Sequence, residues 1–262
     1  MSDWLTITRG DAPLIISVPH AGTHIPKEIL PTLRDRELAI SDADFYVDEL
    51  YQFAIQHAVT LITTRISRTV IDVNRDPAGV SLYPGQATTD LCPTERFDGT
   101  PLYREGCEPD AVEIARRRKT YFNPYHTALH AEIERLRSKH PKVVLYDAHS
   151  ILSHVPRLFP GKLLQFNIGS FDGKSCAPTL TDAVSSVCGD SQIVNGRFKG
   201  GWITRHYGAP ERGIHAIQME LAMRGYLDEA GEWPPLWDEE RAELLHPVLR
   251  NIITACLNFA KD

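Results

Sequence analysis

Two histidines follow strand-like runs of apolar residues at the points where those runs end. His20 closes the segment PLIISVPH at residues 13–20, and His149 follows the run VVLY in the segment VVLYDAHS. Zinc binds imidazole nitrogen and carboxylate oxygen, and a catalytic zinc has three protein ligands with water in the fourth position. A single histidine after a strand is more often a hydrogen-bonded structural group. Two of them at the ends of two strands favour a metal site.

The third ligand of such a site would be a carboxylate, and the segment SDADFYVDE offers three aspartates. Asp44 is the first choice, Asp42 the second and Asp48 the third. The residue types alone leave this choice open.

Glu220 lies in the apolar segment IQMELA. Apolar surroundings raise the pKa of a carboxyl group toward the range that suits a general base. The alternative is a half-buried glutamate paired with an arginine.

The segment DVNRDP places an amide beside a guanidinium, Asn74 followed by Arg75. Arginine offers two parallel donors to a carboxylate, so the pair predicts a binding site for a substrate carboxylate. The alternative is an ion pair of Arg75 with Asp72 or Asp76.

The elements that must position these residues alternate along the chain. We predict strands at residues 13–20, 59–66, 69–74 and 143–147, and helices at 44–57, 110–138, 179–189 and the C-terminal DEERAELLHPVLRNIITACLNFAK. Residues 214–222 fit a strand or the start of a helix. This alternation indicates an α/β fold, a largely parallel sheet with helices on both faces, in a single domain over residues 1–262. Ligands of such sheets bind outside the carboxyl ends of the strands, where the residues above collect.

Two further segments invite a functional interpretation. Residues 76–110 are rich in Pro, Gly, Thr and Asp, and so long a loop is usually a binding loop or a lid. His126 and His130 have the i,i+4 spacing of a helical metal site. The intervening glutamate of the HExxH motif is absent, so a plain helix surface is expected there.

Composition limits the class of protein and its partners. The net charge is −6, with 42% hydrophobic and 24% charged residues, so neither nucleic acid nor an anionic membrane is expected as a partner. Five cysteines without CxxC spacing argue against a disulfide framework and for reduced thiols in the cytoplasm. The N-terminus lacks a signal-peptide pattern, and no apolar run approaches a membrane span of roughly 20 residues. The oligomeric state stays open.

Long and unusual motifs over nearly the whole chain resemble the N-formylglutamate amidohydrolase family. They are SVPHAG, SDADFYVDELYQFA, SRTVIDVNR, LYPGQATTDLCPTERFDGTPLY, DAHSILSHVPRLFPGKLLQFNIG, VNGRFKGGWITRHYG and IHAIQMELA. The resemblance implies metal-dependent hydrolysis of N-formyl-L-glutamate, a small-molecule substrate, to formate and L-glutamate as the last step of a histidine degradation route. It also implies a fold similar to that of zinc carboxypeptidases, with a mixed twisted sheet between helices.

Zinc carboxypeptidases and related hydrolases bind zinc through a histidine, an acidic residue and a second histidine. They use an Asn-Arg pair for the substrate carboxylate and a late glutamate as the base. The resemblance thus implies one divalent metal ion, with zinc the ion we expect, on His20, Asp44 and His149, and Glu220 as general base. The HxxE spacing of these relatives is absent, because Thr23 stands three residues after His20.

The oxyanion and the second substrate carboxylate each need a basic group. Arg68 in ISRTV is a candidate for the oxyanion, with a salt bridge at a strand edge as the alternative. The segment NGRFKGGWITRHYG contains Arg197, Thr204 and Arg205, of which the last two are the first choice for the second carboxylate. A glycine-rich turn with exposed charges is the alternative there. A second candidate function is a zinc-dependent deacylase or peptidase acting on another N-acyl amino acid.

Overall fold

A mixed sheet of seven strands runs through the protein. The computed structural model describes residues 3–231 and 233–261. The strands are β1 (Leu5–Thr8), β2 (Leu14–Val18), β3 (Thr60–Thr64), β4 (Val143–Ile151), β5 (Phe166–Gly169), β6 (Gln192–Val194) and β7 (Ile214–Ala222). Their order across the sheet is β1-β3-β2-β4-β7-β5-β6. The pairs β1–β3 and β5–β7 are antiparallel and the other pairs are parallel.

Seven α-helices accompany the sheet in the described part of the chain. They are α1 (Arg36–Ile40), α2 (Val47–Leu50), α3 (Ala111–Arg117), α4 (Asn123–Arg137), α5 (Pro178–Val187), α6 (Trp202–Tyr207) and α7 (Glu239–Lys261). Short 3-10 helices lie at Leu30–Thr32, Gln52–His57, Pro210–Arg212 and Met223–Gly225, and a π-helical turn at Arg118–Phe122 joins α3 to α4. None of the described helices is long and apolar enough to cross a membrane.

Successive side chains of the central strands point to opposite faces of the sheet, so the core consists of two layers. In β4, Val144 and Tyr146 pack in the layer that contains α5 and α7. Val143 and Leu145 pack in the layer that contains α4. Every residue of β4 and β7 is buried, as expected for strands covered on both faces by helices.

The same alternation carries polar side chains onto the α4 side of the sheet. Asp147 and His149 continue the series begun by Val143 and Leu145. The parallel register pairs Asp147 with Gln218 and His149 with Glu220 on the neighbouring strand β7. A slip of one residue would turn all these side chains to the opposite face. The register of β4 and β7 therefore positions the polar end of the sheet.

The predicted α/β class with a mixed sheet between helices is confirmed. The strands predicted at 13–20, 59–66 and 143–147 are present as β2, β3 and β4, and residues 214–222 form a strand, β7. The strands β1, β5 and β6 and the helices α1 and α6 were not predicted. The helix predicted over 110–138 is divided by the π-helical turn, and Pro124, which has no backbone N–H, follows that turn directly at the start of α4.

The strand predicted at 69–74 is wrong. Val70 donates its backbone N–H to the carbonyl of Ser67, so the chain turns here instead of pairing with a neighbouring strand. The β-branched side chains Val70, Ile71 and Val73 are buried in the layer beside α4. Strand-like composition in this segment reflects burial of side chains, which β propensity does not separate from strand pairing.

Candidate metal centre and substrate pocket

Three buried side chains converge at the carboxyl ends of β2 and β4. His20 follows β2, His149 lies in β4, and Asp44 stands in the turn before α2, where its backbone N–H binds the carbonyl of His20. One ligand atom from each lies within 4.8 Å of the other two. Oδ2 of Asp44 is 3.0 Å from Nδ1 of His149 and 3.7 Å from Nδ1 of His20. The structure thus brings together the three residues that the sequence suggested as metal ligands.

A carboxylate holds the opposite nitrogen of each imidazole. Nε2 of His20 lies 2.7 Å from Oδ1 of Asp72, and Nε2 of His149 lies 3.1 Å from Oδ2 of Asp147. Nδ1 of His20 is buried and has no hydrogen-bond partner among the described residues. Metal-binding histidines commonly donate their other ring N–H to a carboxylate, which directs the free nitrogen at the ion. This donor set fits a divalent ion such as zinc.

The charges in this cluster favour a cation at its centre. Burial acts to raise the pKa of Asp44, but hydrogen bonds from His149 and His20 hold it below its ordinary value. Burial acts to lower the pKa of His149, but Asp147 and Asp44 outweigh burial and raise it well above its ordinary value. Buried carboxylates surround the two rings, so positive charge between them is stabilised.

The structure separates Asp44 from the two alternative aspartates. Oδ2 of Asp42 accepts a hydrogen bond of 2.7 Å from the backbone N–H of Phe97, and burial raises the pKa of Asp42. Asp48 lies on the exposed face of α2. Neither belongs to the buried cluster of imidazole and carboxylate groups.

Glu220 borders the same centre from β7. It is the register partner of His149, and its buried side chain lines the pocket. Burial raises the pKa of Glu220 to about 8, although the charge of His149 acts in the opposite direction. A carboxyl group with this pKa can take up and return a proton near neutral pH.

Arg68 lines the pocket and also binds two carboxylates. Its terminal nitrogens lie 2.8 Å from Oδ2 of Asp72 and 3.3 Å from Oδ1 of Asp44. Its guanidinium group stacks on Phe97, 4.7 Å from the ring centroid. Arg68 therefore forms buried ion pairs and presents positive charge to the pocket.

Asn74 lies beside Nε2 of His149, whereas Asp44 contacts Nδ1 of the same ring. Its Nδ2 is 3.0 Å from Oδ2 of Asp147 and 2.9 Å from Nε2 of His149, while its Oδ1 accepts a hydrogen bond of 2.7 Å from the backbone N–H of Ile203. These contacts fix the orientation of the amide.

Arg75 lines the pocket and contacts a carboxylate. Its Nε lies 3.4 Å from Oδ2 of Asp72, and Nη2 donates to the hydroxyl of Thr89 at 3.0 Å. The ion pair with Asp72, which the sequence left open as an alternative, is therefore present in the structure.

Arg197 brings an unpaired positive charge into the pocket. Its nitrogens donate to the carbonyls of Leu158 at 2.8 Å and Ala87 at 3.0 Å, and within the described residues no carboxylate forms an ion pair with it. Burial and the neighbouring charge of Arg75 lower the pKa of Arg197. An anion bound between the two guanidinium groups would relieve this repulsion. The pocket is thus suited to an anionic ligand.

The structure does not bring Thr204 and Arg205 into this pocket. Thr204 is fully buried, and in the part of the chain that the structure describes its hydroxyl has no hydrogen-bond partner. Arg205 donates to the carbonyls of Gly200 and Leu82 and stacks on Tyr83, 4.8 Å from the ring centroid. These contacts join α6 to the loop after Arg75, because Gly200 precedes the helix and Leu82 lies in that loop.

Some pocket residues were missed by sequence reasoning. Gln218 lines the pocket two residues before Glu220, and period-two alternation within β7 was the signal that places both on one face. Arg157 also lines the pocket and forms an ion pair with Glu95. It comes from a passage without periodicity, which gave no signal.

His126 is buried, so the expected plain helix surface at this position is wrong. Its Nε2 lies 2.8 Å from the carbonyl oxygen of Val73, and its Nδ1 is 3.0 Å from the hydroxyl of Tyr207. Burial lowers the pKa of His126 to about 4. The neutral ring therefore connects α4 to the residue before Asn74.

Comparisons with known proteins identify the family of the chain. The model of the N-formylglutamate amidohydrolase family matches residues 12–227. The chain is 41% identical to the N-formylglutamate deformylases of Pseudomonas putida and Pseudomonas aeruginosa, over alignments that cover all of this chain and 98% and 99% of those proteins. In fold it is similar to the crystal structure of N-formylglutamate amidohydrolase from Ralstonia eutropha JMP134. The TM-score is 0.80 and the identity 23%, with 99% of this chain and 98% of that one covered. The chain belongs to the N-formylglutamate amidohydrolase family.

Proposed function

We propose that the protein hydrolyses N-formyl-L-glutamate to formate and L-glutamate. The observation that carries the proposal is the meeting, in one pocket, of a His-Asp-His cluster, a buried carboxyl group and an arginine that pairs with no carboxylate of the described residues. The two Pseudomonas relatives are named for this reaction. The family resemblance adds that the reaction ends a route of histidine degradation.

His20, Asp44 and His149 would hold one divalent metal ion, with zinc preferred for its affinity to imidazole and carboxylate ligands. When bound, such an ion acts as a Lewis acid and lowers the pKa of a water ligand to about 7. Asp72 and Asp147 keep the two imidazoles oriented through their other ring nitrogens.

Glu220 handles the proton of the reaction. Its carboxylate accepts a proton from the attacking water, whose oxygen forms a bond to the formyl carbon. Glu220 then returns the proton to the leaving nitrogen as the C–N bond breaks, which yields formate and the free amine of glutamate. Arg68 provides a fixed positive charge beside the developing oxyanion.

The two carboxylates of N-formylglutamate require two basic groups. Arg75 and Arg197 both line the pocket, and Arg197 lacks an acidic partner among the described residues. Asn74 supports the bound substrate beside His149. An analogue that lacks one carboxylate would leave a guanidinium group unpaired, which makes the two charges a source of specificity.

Composition supports the remaining parts of the proposal. The net charge of −6 favours a small anionic substrate bound by local arginines over nucleic acid or a membrane surface. Free thiols at the five cysteines support a cytoplasmic location. One core layer contains residues from Leu14 to Ala260, which supports a single domain.

Metal content and formate release together test the function. Wild type is expected to contain one metal ion per chain and to release formate from N-formyl-L-glutamate, and His149→Ala is expected to lose both. His154→Ala is the matched control, because this histidine is exposed and lies outside the ligand cluster. Metal without formate release would favour the second candidate, a deacylase of another N-acyl amino acid. Formate release by a metal-free protein would contradict the proposal.

A further inference from the structure

Gln218 connects a backbone turn to the carboxyl group of Glu220. The backbone N–H of Gly201 donates to Oε1 of Gln218 at 2.6 Å, and Nε2 of Gln218 donates to Oε2 of Glu220 at 3.0 Å. Both side chains lie on the same face of β7, and both are buried at the wall of the pocket. Two consecutive hydrogen bonds, from Gly201 to Gln218 and from Gln218 to Glu220, therefore end on the acid-base residue of the proposed reaction.

The orientation of the Gln218 amide follows from its partners. A backbone N–H can only donate, so the oxygen of the amide must face Gly201. The NH₂ group then faces Glu220, where it binds one of the two carboxylate oxygens. In the described part of the chain, the side chain of Glu220 accepts a hydrogen bond at Oε2 and none at the other oxygen, Oε1.

We propose that Gln218 is a positioning residue that determines which oxygen of Glu220 carries the proton during turnover. Because Oε2 accepts the N–H of Gln218, the proton taken from water resides on Oε1 and leaves from the same atom to the departing amine. The inference rests on the proposed function, in which Glu220 transfers that proton.

The turn that orients Gln218 also orients Asn74. Gly201 binds Gln218, and two residues later the backbone N–H of Ile203 binds Oδ1 of Asn74 at 2.7 Å. Asn74 and Gln218 border the pocket that His149 also lines. One turn thus orients the side-chain amides of both Asn74 and Gln218.

Two variants remove the N–H donor at position 218. Gln218→Met has similar length without polar atoms, and Gln218→Glu keeps an acceptor for Gly201. For both, we expect kcat on N-formyl-L-glutamate to fall about 10- to 100-fold, the effect of a misplaced reacting group. KM and metal content are expected to stay close to those of wild type.

Gln165→Met is the matched control. The side-chain amide of Gln165 also binds β7, at the carbonyl of Ala222, but it lies outside the pocket. This variant is expected to keep the kcat of wild type. Unchanged kcat in both Gln218 variants would overturn the proposal. A fall in kcat that is accompanied by an equally large rise in KM and fall in metal content would overturn it as well.

A crystal structure of Gln218→Met tests the inference without using turnover. In this variant, we expect the Glu220 carboxylate to adopt an orientation different from that in wild type, or to be divided between two orientations. A Glu220 side chain unchanged from wild type would overturn the positioning role. Wild type that releases no formate would overturn the proposed function alone, since the orientation of Glu220 is measured separately.

Discussion

Nε2 of His20 lies 2.7 Å from Oδ1 of Asp72, and this contact leaves Nδ1 of the ring facing Asp44. Asp72 also binds Arg68 at 2.8 Å and the backbone N–H of Asn74 at 2.8 Å. Its pKa lies well below the ordinary value, because attraction by His20 and Arg68 outweighs burial. One carboxylate therefore orients a candidate ligand and stabilises two residues of the pocket wall.

Asp72→Asn should weaken metal binding about 10- to 100-fold, the usual cost of losing the outer partner of a metal-binding imidazole. Competition with a chromogenic chelator measures the affinity. Asp90→Asn is the control, since Asp90 is exposed in the same loop. Wild-type affinity in Asp72→Asn would show that His20 needs no orienting carboxylate.

Arg197→Met and Arg75→Met should each reduce kcat/KM for N-formyl-L-glutamate about 10- to 100-fold, because each loses a charge-assisted hydrogen bond to substrate. Analogues that lack either the side-chain or the α-carboxylate identify the partner of each arginine. When an arginine has been replaced, kcat/KM should be the same for N-formyl-L-glutamate and for the analogue that lacks the carboxylate bound by that arginine. Arg212→Met, at an exposed arginine, is the control. Full discrimination in both variants would contradict the assignment.

Gly201→Ala should damage the site while the fold persists. A Cβ atom at this position would lie 2.4 Å from Nδ2 of Asn74, so the amide beside His149 must shift. We expect kcat/KM to fall about 100-fold. At Gly231, by comparison, a Cβ atom meets only the end of the Asp228 side chain, and Gly231→Ala should be neutral. Equal activity of the two variants would refute the requirement for glycine at 201.

When the pH is lowered from 7 to 4, the free energy of unfolding should fall less in the variant His126→Gln than in wild type. The pKa of His126 is about 4 in the folded protein, below its ordinary value of 6.5. The neutral ring therefore stabilises the fold fully above pH 6.5, and this contribution is lost as the pH falls toward 4. The maximum effect is about 3 kcal/mol.

Urea unfolding between pH 7 and 4 measures this effect. Glutamine can still donate a hydrogen bond to the carbonyl of Val73 but does not titrate, so its stability should change less over that range. His57→Gln, at an exposed histidine, is expected to follow wild type. A His126→Gln profile parallel to that of wild type would contradict the prediction.

Sequence reasoning located the metal-type cluster because each histidine ends a strongly apolar run. Such runs are readable, since strands buried on both faces leave few polar positions. It could not choose among Asp42, Asp44 and Asp48 on physical grounds. That choice depends on the turn in which Asp44 binds the carbonyl of His20 and on the contact of Asp42 with Phe97.

The basic residue for the second substrate carboxylate, by contrast, was not located by the sequence. Among the residues near Gly200, the sequence made Thr204 and Arg205 the first choice for the second carboxylate and placed Arg197 behind them. Arg205 is taken up by carbonyls of Gly200 and Leu82, while Arg197 reaches the pocket. Such a difference arises from how the loop after Arg75 folds back on α6. Local pattern therefore cannot predict it.

The site is assembled from segments that are distant in the chain. Asp44 and His149 are 105 residues apart, and Asn74 and Asp147 are 73 apart. Their meeting requires β2, β4 and β7 to pair across long crossovers, and such non-local pairing is slow because loop closure must precede the contacts that reward it. Local helices such as α4 form far sooner. During refolding, helical signal should therefore return before the chain can retain a metal ion, which makes metal retention a late marker of a completed sheet.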